Sequence, residues 1–82
     1  MTPNDIIARG ERASRLIENE DFKDLIAAIN DDIFEQFRKT KIDQKDEREQ
    51  IHQVSYAVDL LIKKLNKYKS DAKLELDRIS RV

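Results

Sequence analysis

Two polar residues of the sequence have the spacing of a helical metal-binding motif. Glu49 and His52 are three positions apart, and in carboxylate-bridged dimetal bundles this spacing points both side chains at one metal pair. The chain has one histidine and therefore one copy of the motif, and the pair lies off the apolar stripe that begins at Ile51. We therefore interpret Glu49 and His52 as a solvated polar pair and predict no metal site.

A second group consists of the carboxylates Asp31, Asp32 and Glu35. Asp31 and Glu35 are one helical turn apart, a spacing that could serve acid–base catalysis if the pair were buried beside a pocket. No nucleophile, phosphate-binding loop or second catalytic group accompanies them in the sequence. We interpret them as a solvated acidic face, and predict that the protein is not an enzyme and has no catalytic residue and no cofactor.

A third group is a run of lysines that could contact phosphate, formed by Lys63, Lys64, Lys67 and Lys73. A few lysines supply salt-sensitive, non-specific affinity for nucleic acid. Only one aromatic residue, Tyr68, lies among them, no helix-turn-helix signature is visible, and the net charge of the chain is −1. A DNA-binding accessory therefore stays an alternative, while the charge balance argues against a nucleic-acid partner.

Size and composition predict the elements that carry these groups. The chain has 82 residues, 40% of them charged, with one glycine, one proline and no cysteine. So few turn formers argue against a sheet, and the abundance of helix-forming residues predicts one all-α domain over residues 1–82. The absence of cysteine, of a long apolar run and of a signal peptide at Met1–Asp5 predicts a cytoplasmic protein without a membrane partner.

Capping residues and apolar spacing predict two short helices. Thr2 and Asp5 form a capping box for a first helix over about 3–18, in which Gly10 and Ala13 would allow close approach of a neighbour. Asn19 is the best cap for a second helix over about 20–39. The predicted buried face of this second helix is apolar throughout: Phe22, Leu25, Ile26, Ile29, Ile33 and Phe37.

The strongest pattern predicts a long third helix. Apolar or small residues recur at alternating spacings of three and four, at Ile51, Val54, Val58, Leu61, Leu65, Tyr68 and Ala72. We predict this helix over about 44–69, capped by Thr40 or Asp43, with segment 70–80 either continuing it or following it as a separate turn. The predicted fold is a three-helix up-down-up hairpin or bundle in which the third helix is the longest.

Several apolar residues fall outside these stripes or beyond the expected core. A continuous third helix would overhang its neighbours and leave its C-terminal end exposed. The sequence alone leaves open whether Tyr56 and Leu60 widen the buried face or form a partner patch. We predict that the residues that contact a partner are Phe34, Tyr56, Leu60, Leu74, Leu76 and Ile79.

Short motifs recur across most of the chain, namely Arg9-Gly10-Glu11-Arg12-Ala13, then Leu16-Ile17-Glu18 and Phe22, Arg48-Glu49, and Lys73-Leu74-Glu75-Leu76. In these motifs the chain resembles small helical bacteriophage and prophage proteins of unassigned function. The chain differs from that pattern in having no proline near residue 21 and no glycine before Lys73. The resemblance implies a phage origin, hence a place in the host cytoplasm or on the virion, and transfers no activity to any residue.

These observations lead to one main hypothesis and two alternatives. We expect a non-enzymatic, phage-type helical interaction protein that self-associates or binds another phage or host protein, as a virion or packaging accessory. The charge asymmetry favours antiparallel packing of the first half on the second, or head-to-tail association between copies, because residues 1–50 hold nine Lys/Arg and thirteen Asp/Glu, and residues 51–82 hold seven and four. The alternatives are an inhibitor that binds a host anti-phage defence protein directly, and the DNA-binding accessory.

Overall fold

The computed structural model describes residues 1–81, which form three α-helices. They are α1 (Pro3–Glu18), α2 (Glu20–Arg38) and α3 (Lys45–Ser80), and no strand occurs among these 81 residues. The predicted all-α class with a long third helix is confirmed. None of the helices within the described range combines the length and apolar character that a membrane crossing requires.

The first two helices begin at the residues whose side chains cap them. Thr2 accepts a hydrogen bond from the Asp5 backbone N–H while the Asp5 carboxylate accepts one from the Thr2 N–H, both at 3.2 Å. Asn19 ends α1 and starts α2, and its Oδ1 accepts the Phe22 N–H at 2.9 Å. Each cap satisfies a backbone donor that the first helical turn leaves without a partner.

The start of α3 differs from the prediction. The N-cap residue is Gln44, without a side-chain cap hydrogen bond, so the assignment of Thr40 or Asp43 as the cap is wrong. The Thr40 hydroxyl instead donates to the Phe37 carbonyl at 2.6 Å and accepts from Arg48 Nε at 2.9 Å. Thr40 is therefore engaged in closing the connection between α2 and α3.

Helix α3 is continuous through Ser70 and Asp71, which settles the choice left open by the sequence. The Asp71 carboxylate receives Lys67 Nζ at 3.0 Å and lies 3.9 Å from the Arg9 guanidinium. Since these partners occupy the Asp71 side chain, it does not compete for the helix backbone.

The two short helices lie one after the other along α3, rather than side by side in a compact bundle. Ile6 lies near Asp71 and Arg78, Ile17 near Ile62, and Phe37 near Ile51. As residue numbers rise along α1 and α2, the numbers of their neighbours on α3 fall, so both short helices run antiparallel to α3. The single linking residue Asn19 is too short a connection to reverse the chain, because antiparallel helices need a loop of about 2–8 residues. The result is a rod of 60 × 24 × 16 Å.

The half of the rod built from α1 and α3 is tightly packed. Its fully buried residues are all small: Gly10, Ala13 and Ala72, with Ala13 and Ala72 only 4% and 5% exposed. Small side chains let the two backbones approach closely, as the sequence predicted for Gly10 and Ala13. Helix α1 runs along the C-terminal half of α3, so this half does not extend beyond its neighbours as predicted, but Leu74, Leu76 and Ile79 are exposed there as expected.

The half built from α2 and α3 is open. No residue of α2 is buried, and only one flank of its apolar face contacts α3. Leu25, Ile29 and Phe37 were predicted to be buried and are exposed. Val54 and Leu61 of the α3 stripe are exposed as well. The physical reason is that a two-helix layer covers only one side of each helix, whereas these stripes are wide enough for two neighbours.

Candidate interaction surfaces

The groups with possible chemistry do not assemble into a reactive site. His52 lies beside Asn30 and Ser55 in a groove between α2 and α3, and Glu49 is exposed. Glu35 forms an ion pair with Arg38 at 3.6 Å on the solvent side of α2, where Asp31 and Asp32 are also exposed. No cluster of three or more potential metal ligands occurs within residues 1–81.

The lysine run does not form one basic face. Lys63 Nζ lies 3.0 Å from Asp59, and Lys67 Nζ lies 3.0 Å from Asp71. These acids reduce the positive charge that α3 presents. Lys64 is rotated by about 100° from Lys63 around the helix, and Lys73 lies beside the α1 residues Gly10 and Glu11. The arrangement gives no support to phosphate recognition along a single helix face.

Two ionised side chains help to hold α1 in place. The pKa of Glu18 is lowered chiefly because its carboxylate accepts a hydrogen bond from Lys69 at 3.3 Å, with Ser14 as a second donor. The backbone N–H of Thr2, and then its hydroxyl, lower the pKa of Asp5. Arg9 stacks over the Tyr68 ring with its guanidinium carbon 3.9 Å from the ring centroid. The Lys69–Glu18 and Arg9–Tyr68 contacts join α1 to α3, whereas the Thr2–Asp5 pair caps α1.

All of the residues predicted to contact a partner lie on the surface. Their exposed fractions run from 42% for Leu60 to 62% for Leu74, and the others are Phe34, Tyr56, Leu76 and Ile79. They do not form one patch. Phe34 and Tyr56 border the groove between α2 and α3, Leu76 lies beside Gly10, and Leu74 lies beside Ile6. Their role in binding stays a prediction.

One side of the α2–α3 layer is a groove, which we call the grooved face. Asn30, His52 and Ser55 lie at its middle, with Ile33 and Phe34 towards one end and Ile26 and Ile62 towards the other. Polar and apolar side chains alternate along it. Its character is therefore mixed, with aromatic rings at the border.

The opposite side of the same layer is apolar, and it is not among the surfaces predicted from the sequence. On α2, Ile26 is half-buried, and Ala27, about 100° further around the helix, lines the groove. Leu25 is about 100° from Ile26 in the other direction and therefore lies on the opposite side of the layer. Ile29 follows one turn later.

On α3, Val58 is half-buried and Asp59 lines the groove. Ala57 therefore points away from the groove, and Leu61 and Val54 lie on that same flank at helical spacing. Because the helices are antiparallel with aligned registers, the two flanks adjoin. We call the surface formed by Leu25, Ile29, Val54 and Leu61 the open apolar face; its residues are 43–63% exposed.

The apolar stripes themselves were the signal for this face, since all four residues belong to them. What the sequence could not supply was the number of neighbours that cover each stripe. No family model matches the chain, and neither a curated protein nor a solved structure matches it. The surfaces of the molecule are therefore the basis for a proposed function.

Proposed function

We propose that this chain is a non-enzymatic, phage-type helical interaction protein that acts through protein–protein contact and self-associates. The observation that carries this proposal is the amount of exposed surface. The chain exposes 6726 Å². A folded monomer of 9.7 kDa is expected to expose about 5,100 Å².

The apolar character of the additional exposed surface supports association more strongly than its area does. A rod exposes more surface than a sphere, which accounts for part of the difference of roughly 1,600 Å². Fourteen large apolar or aromatic side chains of the described residues are nevertheless exposed, on both halves of the rod. Apolar surface on this scale is stabilised by burial against another protein surface.

A virion or packaging accessory is the form of this function that we favour. The resemblance of Arg9–Ala13 and the later motifs to small phage proteins supports the origin. The 60 Å rod supports a structural role, because it presents different surfaces on its two sides. Such a protein would act in the host cytoplasm or on the assembled particle.

The grooved face favours a second candidate, which is inhibition of a host defence protein by direct binding. Phe34 and Tyr56 border the groove and are 60% and 61% exposed. Exposed aromatic rings beside a groove are frequent anchors in protein–protein interfaces. This candidate and self-association are compatible, since they use different sides of the layer.

Sedimentation velocity over protein concentrations from about 1 to 200 μM tests the main proposal, because this range populates the dimer when its dissociation constant is micromolar or lower. We expect a dimer or larger species that dissociates on dilution. A species with the mass of one chain at every concentration would contradict self-association. Affinity capture from phage-infected cells, with the Phe34→Ser/Tyr56→Ser variant as control, then tests the second candidate.

A further inference from the structure

We infer that the open apolar face, formed by Leu25, Ile29, Val54 and Leu61, is the surface on which a second copy of this chain packs. The inference rests on the proposed self-association and identifies the surface that mediates it. Two α2–α3 layers stacked through this face would form a four-helix core.

The α1–α3 half of the rod is tightly packed and the α2–α3 half is not, so we expect the contact with a second copy on the α2–α3 half. Within residues 1–81, the fully buried residues belong to α1 and to the part of α3 that α1 covers, namely Gly10, Ala13 and Ala72. The α2–α3 half therefore has no core of its own. On the side where the open apolar face lies, α2 and α3 each keep a row of large aliphatic side chains exposed.

The area agrees with a dimer. A stable interface of standard size buries about 800 Å² on each partner, and obligate dimers bury more. The surface that this chain exposes beyond the expectation for a monomer is roughly twice that standard value. An interface of standard size would bury about half of this excess, and the rod shape accounts for part of the rest.

The edges of the open apolar face suit a copy of the same surface. Asp21, four residues before Leu25, and Asp32, three residues after Ile29, border it on α2. Lys64, three residues after Leu61, borders it on α3. A two-fold axis along the rod would place α2 of each copy on α3 of the other, so that Asp21 of one copy lies near the level of Lys64 of the other.

A pair of matched variants tests the inference. Leu25→Lys/Val54→Lys places one charge on each helix of the open apolar face, at positions that are 63% and 53% exposed. Phe34→Lys/Tyr56→Lys does the same on the grooved face, at positions that are 60% and 61% exposed. Because all four positions are exposed, both variants should keep the helical circular dichroism of the parent chain.

We expect the first variant to weaken dimerisation by at least about 30-fold, and the second by less than about 3-fold, in sedimentation equilibrium. A parent chain that is monomeric would overturn both the proposed function and this inference. If the parent chain dimerises, but only the grooved-face variant weakens the dimer, the inference fails while self-association stands.

A measurement that introduces no charge keeps the test decisive if the first variant fails to fold. The chain contains no cysteine, so Val54→Cys and Tyr56→Cys each allow a single nitroxide label. In the dimer we expect the label at position 54 to be immobilised and close to its counterpart, and the label at position 56 to stay mobile. A mobile label at position 54 in a dimeric sample would overturn the inference.

Discussion

Gly10 of α1 lies directly against the backbone of Tyr68 in α3. A Cβ atom added at Gly10 would lie 2.5 Å from the Tyr68 carbonyl oxygen and would also collide with the Ala72 side chain. The contact explains why a helix-destabilising residue occupies the middle of α1. It also fixes the register between the two helices, and with it the positions of Arg9, Glu18 and the other residues that close this half of the rod.

Gly10→Ala should destabilise the protein, although alanine is the better helix former by about 1 kcal/mol. The added methyl group must push α1 away from the Tyr68 backbone, and such overpacking costs about 1–3 kcal/mol. The overpacking cost less the gain in helix propensity should lower the free energy of unfolding by up to about 2 kcal/mol in urea denaturation. Glu11→Ala, at an exposed neighbouring position, is the control and should change stability little. A Gly10→Ala variant more stable than the parent would contradict the close approach.

Arg9 should be sensitive to replacement by lysine, which keeps the charge but loses the planar group. The guanidinium stacks 3.9 Å from the Tyr68 centroid and lies 3.9 Å from the Asp71 carboxylate. Because the side chain is about one-third exposed, we expect Arg9→Lys to lower the free energy of unfolding by only about 0.5–1 kcal/mol. Arg12→Lys on the exposed side of α1 should have no measurable effect in the same urea titration. Equal losses in the two variants would show that the stacking contributes nothing.

The sequence predicts those features of the fold that depend on residues close to one another along the chain. The caps at Thr2 and Asn19 depend on side chains that reach three residues along their own chain, and both were predicted. The small residues Gly10 and Ala13 were also predicted to allow close approach, because little else explains a glycine at that spacing. The start of α3 was not predicted correctly, because the Thr40 hydroxyl accepts a hydrogen bond from Arg48, near the start of α3, and does not cap the helix.

The open apolar face could not be predicted, because it depends on how many helices cover a stripe. The spacing of Val54, Val58 and Leu61 indicates an apolar side of α3, but only Val58 is half-buried in the structure. Asn19 directs α2 onward along α3 instead of back beside α1, so no third helix reaches the other flank. Leu61 of the same stripe is 50% exposed, so a charged residue at this position should weaken association more than folding.

Acid should remove the contribution of Glu18 to stability. Hydrogen bonds from Lys69 and Ser14 lower the pKa of Glu18 in the folded chain, so the folded state releases this proton more readily than the unfolded state. The resulting stabilisation is present above the pKa of the unfolded chain, roughly 4.3. It is lost as the pH falls through the lower pKa of the folded chain.

The comparison that isolates this effect is Glu18→Gln against the parent chain in thermal melts between pH 7 and pH 2. We expect the variant to melt at a lower temperature at pH 7, and the two melting temperatures to converge as the pH falls below about 4. Asp5 also has a lowered pKa, but it titrates equally in both proteins and cancels in the difference. Glu11→Gln serves as the control on the same helix. A pH-independent difference between Glu18→Gln and the parent would exclude the ion pair as its cause.

Asn19 should be the residue that keeps α1 and α2 as separate helices. Its backbone is extended (φ −71°, ψ 126°), its N–H donates to the Leu16 carbonyl, and its Oδ1 accepts the Phe22 N–H. Asn19→Ala removes the side-chain acceptor, which should lower the free energy of unfolding by about 1 kcal/mol in urea. Asn19→Asp keeps an acceptor and adds a charge that the N-terminus of α2 favours, so it should be at least as stable as the parent. If Asn19→Ala instead gains both stability and helical circular dichroism, α1 and α2 have joined into one helix, and the cap is not what separates them.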